Sequence, residues 1–512
     1  MTANRMRQLD SAVAATTMHC LLTQRDNGSW SARPAPRVAD TAMACFALSR
    51  SDDGEARGAV ARARAWLFAQ TDSPTATPLA RLIERALTSL AVDDGAPIDL
   101  GSVHPETPQE ARLVDLVHVM ALYGDRPIQC GRSLQDLRQA LRMSYTEGGG
   151  DAGAPGGSSR AADLAAAVLL DMPLHEDEPA WKGVARLVAD QSPDGSCTGD
   201  VMATSLALLA LDAAAHDTEA WARCRAYLLD TQSADGTWRT RPVDVLETAI
   251  TVRSFRGDPA FDEHALPAAV QFLRTTQNAD GGWAAHSDDV SDTGATALVL
   301  RSLAGLSLPD RTLRFGFAYL EKRQTAEGLW TPSASRLAAP CEETVAHVVA
   351  ALRFHPHAHS VAHARAKAWI VEGVDGLAAR QEGRFTGLPY AAHRTVDALG
   401  RDAAASKEAA RTLELLQNTD GGWSPRTGEE STPAATGLAL AVLEGAGLLD
   451  QQLWSTGLDH LLDRLDEEGR WDGGGELSDP GPLPLESPSI TRAFAIRGLH
   501  AALRHAHAAS PV

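Results

Sequence analysis

Three acids stand within the twelve residues Ser287-Asp288-Asp289-Val290-Ser291-Asp292-Thr293-Gly294-Ala295-Thr296-Ala297-Leu298. A carboxyl at such a place can deliver a proton, and Asp288, Asp289 and Asp292 are also spaced as oxygen ligands of a divalent cation. An ordinary structural role stands beside both. Asp and Ser accept the unpaired N–H groups of a first helical turn, and Ala295, Ala297, Leu298, Val299 and Leu300 continue as an apolar helix. A second group that could do chemistry is Cys341 and His347 in Pro340-Cys-Glu-Glu-Thr-Val-Ala-His-Val-Val. Either is equally readable as an inward helix position with a satisfied partner. Arg239, Arg241 and Arg384 are candidates for clamping an anionic group, each also readable as an exposed Arg. Glu176, Asp177 and Glu178 would suit Mg²⁺ or a solvated loop.

The elements that must hold these residues follow from a phrase that recurs along the chain: Gln24 to Trp30, Gln191 to Cys197, Gln232 to Trp238, Gln277 to Trp283, Gln324 to Trp330 and Gln417 to Trp423. Worn copies lie at Gln381-Glu-Gly-Arg-Phe385 and at Asp466-Glu-Glu-Gly-Arg-Trp471. Trp238, Trp283, Trp330, Trp423 and Trp471 follow at steps of 45, 47, 93 and 48 residues, which is the period of a stacked architecture. Between copies the chain is Ala/Leu-rich with helical spacing, as in Thr204 to Asp212 and Thr436 to Glu444. Each unit therefore reads as helix, turn, helix. In the turn, Gly supplies a positive φ, Asp or Glu caps backbone N–H groups, the Gln amide bridges helix ends and Trp covers the junction. Cys197 stands where its copy should carry a Trp.

Composition narrows the function classes. The chain has 512 residues, 44% hydrophobic and 22% charged, which is enough for two or three cores. With 47 basic and 66 acidic residues the net charge is -19, so nucleic acid and anionic membrane surfaces are repelled. The six cysteines form no CxxC pair, which argues against a zinc knuckle or a disulfide framework and for a reducing compartment. No apolar run approaches the roughly 20 residues of a membrane helix. A soluble, unprocessed, cytoplasmic chain is expected, as a monomer or homodimer.

The phrase Gln-x-x-Asp-Gly-x-Trp resembles the QW motif of the class II terpene cyclase superfamily. That resemblance implies an all-α fold of two α/α-barrel domains, β and γ, with a cavity between them. A Gly/Pro-rich break at Glu147 to Ser159, followed by Arg160 to Leu170, is similar to the γ domains of bacterial members. The γ-like domain is expected over residues 20–215 and the β-like domain over 216–512, with residues 1–19 completing β.

In that family an Asp-x-Asp-Asp sequence protonates a carbon–carbon double bond or an epoxide, the middle Asp being the acid. This chain departs from the pattern. Matching Asp289 and Asp292 to the outer pair leaves Ser291 at the acid position. Matching the flanking Asp292-Thr-Gly-Ala-Thr-Ala-Leu298 puts the acid at Asp292, with Thr293, Ser291, Cys341 or His347 supporting it. The resemblance further implies a diphosphate clamp of Arg239, Arg241, Arg384 and Tyr390, with Mg²⁺ on Glu176 and Asp177. Asp244 and Glu247 read as scaffold. Of the 11 Trp, 5 Tyr and 10 Phe, six Trp belong to the repeat, leaving few aromatic faces for a large migrating cation. Farnesyl or geranylgeranyl diphosphate is the expected substrate and a bicyclic drimane or labdane diphosphate the product. Three alternatives stay open. One is a class I-like synthase ionising the diphosphate through Asp288, Asp289, Asp292 and Mg²⁺. Another is a cyclase of a non-diphosphate polyprenyl or epoxide substrate, and the third is a non-catalytic binding scaffold.

Overall fold

A computed structural model describes residues 3–509 except 32–35, 52, 71–77, 94, 102–107, 132, 147–156, 172–177, 190, 193, 198, 215–217, 240–241, 288–289, 309, 332–339, 355–360, 375–386, 473–476, 479–483 and 486. Twenty-two helices carry the described chain, with two pairs of two-residue strands as trim. They run α1 (Ala3–Leu22), α2 (Val38–Leu48), α3 (Gly54–Phe68), α4 (Pro78–Val92), α5 (Pro108–Tyr123), α6 (Leu134–Thr146), α7 (Gly157–Asp171), α8 (Glu178–Ala189), α9 (Val201–Ala213), α10 (Thr218–Thr231) and α11 (Asp244–Phe255). There follow α12 (Pro259–His264), α13 (Leu266–Thr275), α14 (Thr293–Leu303), α15 (Asp310–Lys322), α16 (Glu342–Leu352), α17 (Val361–Val374), α18 (Leu388–Leu399), α19 (Ala404–Glu414), α20 (Pro433–Ala446), α21 (Gln451–Asp463) and α22 (Pro488–Ala509).

Two closed rings result. In the first, α2, α4, α5, α7 and α9 pack in succession and α9 returns to α2; in the second, α11, α14, α16, α18, α20 and α22 do the same and α22 returns to α11. The remaining helices form the outer layers. Burial explains the assignment: α9, α14 and α20 are apolar nearly all round and are buried along almost their whole length, whereas outer helices such as α3 and α19 bury one stripe.

The repeated turn ties outer to inner helices with a fixed set of bonds. Six indole N–H groups donate to the carbonyl ten residues upstream, for instance Trp283 to Leu273 and Trp423 to Leu413. The Gln amide bridges two elements as expected: Gln277 Nε2 donates to Gly281 O at 2.8 Å and to Thr312 O at 3.0 Å. Next to it, the Trp backbone N–H donates to a Thr hydroxyl one turn into an inner helix: Trp283 to Thr296 at 2.8 Å and Trp423 to Thr436 at 3.0 Å. Cys197 makes the same bond to Thr204 at 2.9 Å.

Two of these bonds close the rings and move the domain boundaries. Trp238, after α10, donates to Thr41 of α2 at 3.3 Å; Trp30, after α1, donates to Thr248 of α11 at 3.0 Å. Accordingly Cys224, Leu228 and Trp238 lie in the first core, while Leu9, Cys20 and Trp30 lie in the second. The first barrel thus spans about residues 38–238 and sits in the chain between α1 and α11 of the second. The expected limits at 19/20 and 215/216 each shift by one unit, because a turn belongs with the inner helix it clasps.

Gly281 shows how tight the turn is: at φ +92 a Cβ would stand 2.5 Å from Phe315 O. Gly281→Ala therefore combines left-handed strain with a backbone clash, whereas Gly305→Ala, at φ +76 with nothing nearby, carries strain alone. Urea unfolding should give a loss of about 1–2 kcal/mol for Gly305→Ala and a loss larger by roughly 1–3 kcal/mol for Gly281→Ala.

Candidate active site

Asp292 is the N-cap of α14, 3% exposed, with Oδ1 accepting the Ala295 N–H at 2.6 Å and its own N–H donated to Trp283 O at 2.9 Å. The same position caps other inner helices. Asp200 caps α9 by accepting Ala203 N–H at 2.7 Å, Thr432 caps α20, and Cys341 stands at the head of α16. Ser291 accepts from Asn278 Nδ2 at 2.9 Å and donates to Asp280 Oδ1 at 2.7 Å. Ser431 makes the same two bonds with Asn418 and Asp420, so these contacts are part of the turn. Thr293 is buried as the first residue of α14.

The start of this stretch is anchored from the neighbouring inner helix. Asp244 Oδ1 and Oδ2 accept from the Ser287 N–H at 2.8 Å and hydroxyl at 2.6 Å, and buried Glu247 accepts from Ser487 at 2.5 Å. Asp288 and Asp289 themselves lie outside the described residues, as do Arg241, Arg384, Glu176 and Asp177. Arg239 pairs with Asp235 of its own turn at 2.8 Å.

The structure brings His347 and Tyr390 together and adds a residue that sequence spacing did not single out. Tyr390 Oη donates to Glu343 Oε1 at 3.2 Å and lies 2.8 Å from His347 Nε2; Nε2 is 3.6 Å from the same Glu343 oxygen. With the phenol hydrogen committed to Glu343, His347 Nε2–H is the donor to the phenol oxygen. All three are buried, Glu343 at 5% exposure. Burial raises the Tyr390 pKa well above its ordinary value, and the Glu343 charge adds to this. Burial lowers that of His347, against the pull of Glu343, which keeps the imidazole neutral around pH 7. Burial likewise raises the Cys341 thiol. Tyr390 also belongs to an apolar group of Val243, Leu246, Ile250, Leu298, Leu438, Ile490 and Phe494, contributed by the facing sides of the second ring. Glu343 and His347 are four residues apart on one helix, which puts them on one face. The third member comes from α18, 47 residues beyond Glu343.

Farther down the same ring two guanidinium groups meet one carboxylate, with a third beside the neighbouring His393. Arg253 and Arg301 bond Asp397 Oδ2, the latter at 2.7 Å; His393 Nε2 is 3.2 Å from it, and Arg497 Nη1 is 2.6 Å from His393 Nε2. Burial would raise the Asp397 pKa, but Arg253 and Arg301 hold it well below the carboxylate range. Burial brings Arg253 down to about 10 and holds His393 well below its usual value.

A family profile, the squalene-hopene cyclase C-terminal domain, matches residues 196–339. Drimenyl diphosphate synthase of Streptantibioticus cattleyicolor is 27% identical over 370 residues, covering 67% of this chain and 61% of that protein. The chain is a homologue of the class II terpene cyclases. Its fold is shared with ent-copalyl diphosphate synthase from Streptomyces platensis, at a TM-score of 0.54 and 19% identity over 97% of this chain and 99% of that one. The Arabidopsis thaliana ent-copalyl diphosphate synthase follows at TM-score 0.50 and 15% identity, covering 79% and 59%. This homologue thus spans about three fifths of the length of the curated relative it matches. It has the two-barrel, all-α fold of the class, and no described helix is long and apolar enough to cross a membrane.

In this terpene cyclase homologue the Asp397 node carries a stability prediction. Asp397→Asn leaves Arg253, Arg301 and Arg497 facing one another and should cost about 3–5 kcal/mol in chemical unfolding. Because the folded pKa is depressed, the contribution is fully present above the ordinary carboxylate value near 3.9 and fades only as pH falls through the lower folded one. The wild-type advantage over Asp397→Asn should therefore hold unchanged from neutral pH down to about 5.

Proposed function

We propose that this protein cyclises a linear prenyl diphosphate, farnesyl or geranylgeranyl, by protonating its terminal double bond, and releases a bicyclic drimane- or labdane-type product with the diphosphate retained. The observation that supports this is the buried Glu343–Tyr390–His347 group, seated beside an apolar ring interior and on the inner helix next to the one that Asp292 caps. Protonating an alkene requires a carboxylic acid that arrives neutral and whose conjugate base is stabilised once the proton has left. Burial serves the first need and a hydrogen-bond donor the second. An apolar enclosure without competing water lets the resulting cation be captured by the next double bond of the chain.

Two carboxyls are proposed for the proton. Asp292 is the reading carried by the family pattern, with Thr293 next to it. Glu343 is favoured by a separate observation: it has a phenol donating to it, whereas the position of Asp292 is filled by a cap in both barrels. The diphosphate is assigned to Arg239, Arg241 and Arg384, with Mg²⁺ on Glu176 and Asp177, on the sequence pattern. Mg²⁺ would supply charge neutralisation at the diphosphate. Among the described residues no group of three or more His, Cys, Asp or Glu side chains could hold a metal ion.

Incubation with farnesyl and geranylgeranyl diphosphate in Mg²⁺ buffer, followed by mass spectrometry of the intact diphosphates, tests the reading. A bicyclic diphosphate is expected, with turnover lowered about 10²–10⁴-fold in Asp292→Asn or Glu343→Gln, whichever residue is the donor. Full activity in Asp292→Asn with loss in Glu343→Gln assigns the donor to Glu343. Release of inorganic diphosphate with an ionised product would point to the class I-like alternative, and retention of linear substrate to a scaffold.

A further inference from the structure

The turn that ends in Cys197 differs from its siblings at two positions at once. In four of the sibling turns the positive-φ glycine abuts the backbone carbonyl of a neighbouring outer helix: a Cβ at Gly28, Gly236, Gly281 or Gly421 would stand 2.2–2.7 Å from the carbonyl oxygen of Ala268, Arg62, Phe315 or Thr456. The residue that follows that carbonyl is Ala269, Ala63, Gly316 or Gly457. In these four it is small, and in two of them it is seen to face the turn's Trp: a Cβ at Gly316 would meet Trp283 Cζ3 at 2.8 Å and one at Gly457 would meet Trp423 Cζ3 at 3.0 Å, whereas at the Trp471 turn, where Gly469 abuts Ala15 O, the position is Thr16. In the copy that ends in Cys197, Gly195 abuts Arg223 O in the same way, at 2.4 Å. There the Trp position is Cys197 and the small-residue position is Cys224. Gln191, the bridging amide of that turn, reaches Cys224 Sγ at 3.1 Å, and the Cys197 side chain is near enough to lower the Cys224 pKa.

A large ring against a hydrogen atom or methyl group has thus been exchanged for one sulfur against another, at a junction where the surrounding bonds are kept: Gln191 Nε2 to Gly195 O and Ala220 O, and Cys197 N–H to the Thr204 hydroxyl. We propose that Cys197 and Cys224 are a dithiol that closes to a disulfide, stapling the turn after α8 to α10 in the first barrel by a covalent bond where the sibling turns use a Trp. The exchange with a small-molecule disulfide balances. A Cys224 thiolate attacks one sulfur of oxidised glutathione and releases a glutathione thiolate. The Cys197 thiolate then attacks the Cys224 sulfur and releases the second, and the two protons lost by the protein are taken up as two molecules of reduced glutathione form. The Cys197 side chain lowers the Cys224 pKa against the effect of burial, which favours the attacking form. Cys197 is 4% exposed and Cys224 fully buried, so entry of the reagent waits on local opening of the junction.

The test uses the full-length chain. After a day with excess oxidised glutathione, remaining thiols are blocked with N-ethylmaleimide under denaturing conditions and the peptides mapped. The expected result is a linked peptide joining Cys197 to Cys224. It should be lost in Cys197→Ser and in Cys224→Ser, with a melting temperature about 5–10 °C above that of the reduced protein. Recovery of both residues carrying N-ethylmaleimide, or of glutathione on Cys224 with no link, would overturn the proposal. The double variant Cys197→Trp with Cys224→Gly restores the sibling pairing and should fold without any redox shift in melting temperature. A redox shift persisting in that variant would assign the effect to other cysteines and also overturn it.

Discussion

The two barrels depend on one small contact, the hydrogen bond from the backbone N–H of the turn's last residue to a Thr hydroxyl inside the next inner helix. It occurs at Thr41, Thr204, Thr248, Thr296 and Thr436. Each bond fixes where an inner helix begins relative to the outer helix before it, so the ring heads stay aligned. Threonine suits the role because its hydroxyl can accept from the turn while still bonding within its own helix, as Thr204 does to Asp200 O at 2.6 Å. The indole and the Gln amide add packing and a second bridge, but their partners lie on outer helices. The Thr contact is the one that reaches inward.

Aligned heads give the second ring an electrical axis. Asp244, Glu342 and Glu343 lie in the first turns of α11 and α16 and Asp292 caps α14, while Arg253 and Arg301 lie in the last turns of α11 and α14. Arg256 illustrates the latter, donating to Ser302 O at 3.0 Å and Ala304 O at 2.6 Å. Acids at the positive ends and guanidinium groups at the negative ends are the favourable arrangement for stacked peptide dipoles. The surplus of Arg over Asp around Asp397 is offset in the same way.

How much of this could be read from the chain depends on distance along it. The helical units, the Gln bridge and the caps at Asp292 and Asp200 involve residues within about a repeat of each other, and local spacing exposed them. The ring closures did not show, because Trp30 to Thr248 and Trp238 to Thr41 join points about two hundred residues apart with no shared pattern. For the same reason the domain limits fell one unit early. Glu343, the shared partner of Tyr390 and His347, is visible only once α16 and α18 are side by side. Cys197 and Cys224 are separated by α9 in the chain, and only the fold brings both to the junction that Gln191 bridges. Asp289, Arg241, Arg384, Glu176 and Asp177 fall outside the described residues.

Placing the first barrel between α1 and α11 of the second sets an order on synthesis. As the chain leaves the ribosome, the first ring can close once Trp238 has emerged, from helices that are near neighbours in sequence. The opening helix is completed in two steps: α12 can receive it once that part of the chain has been made, but its contact with α22 forms only after α22 has emerged. Meanwhile Met18 and Leu22, exposed even in the finished protein, travel with the apolar face of α1 that later covers α22. The α1–α22 seam is therefore the contact for which a holding chaperone would compete longest, since it joins the first and last of the described helices.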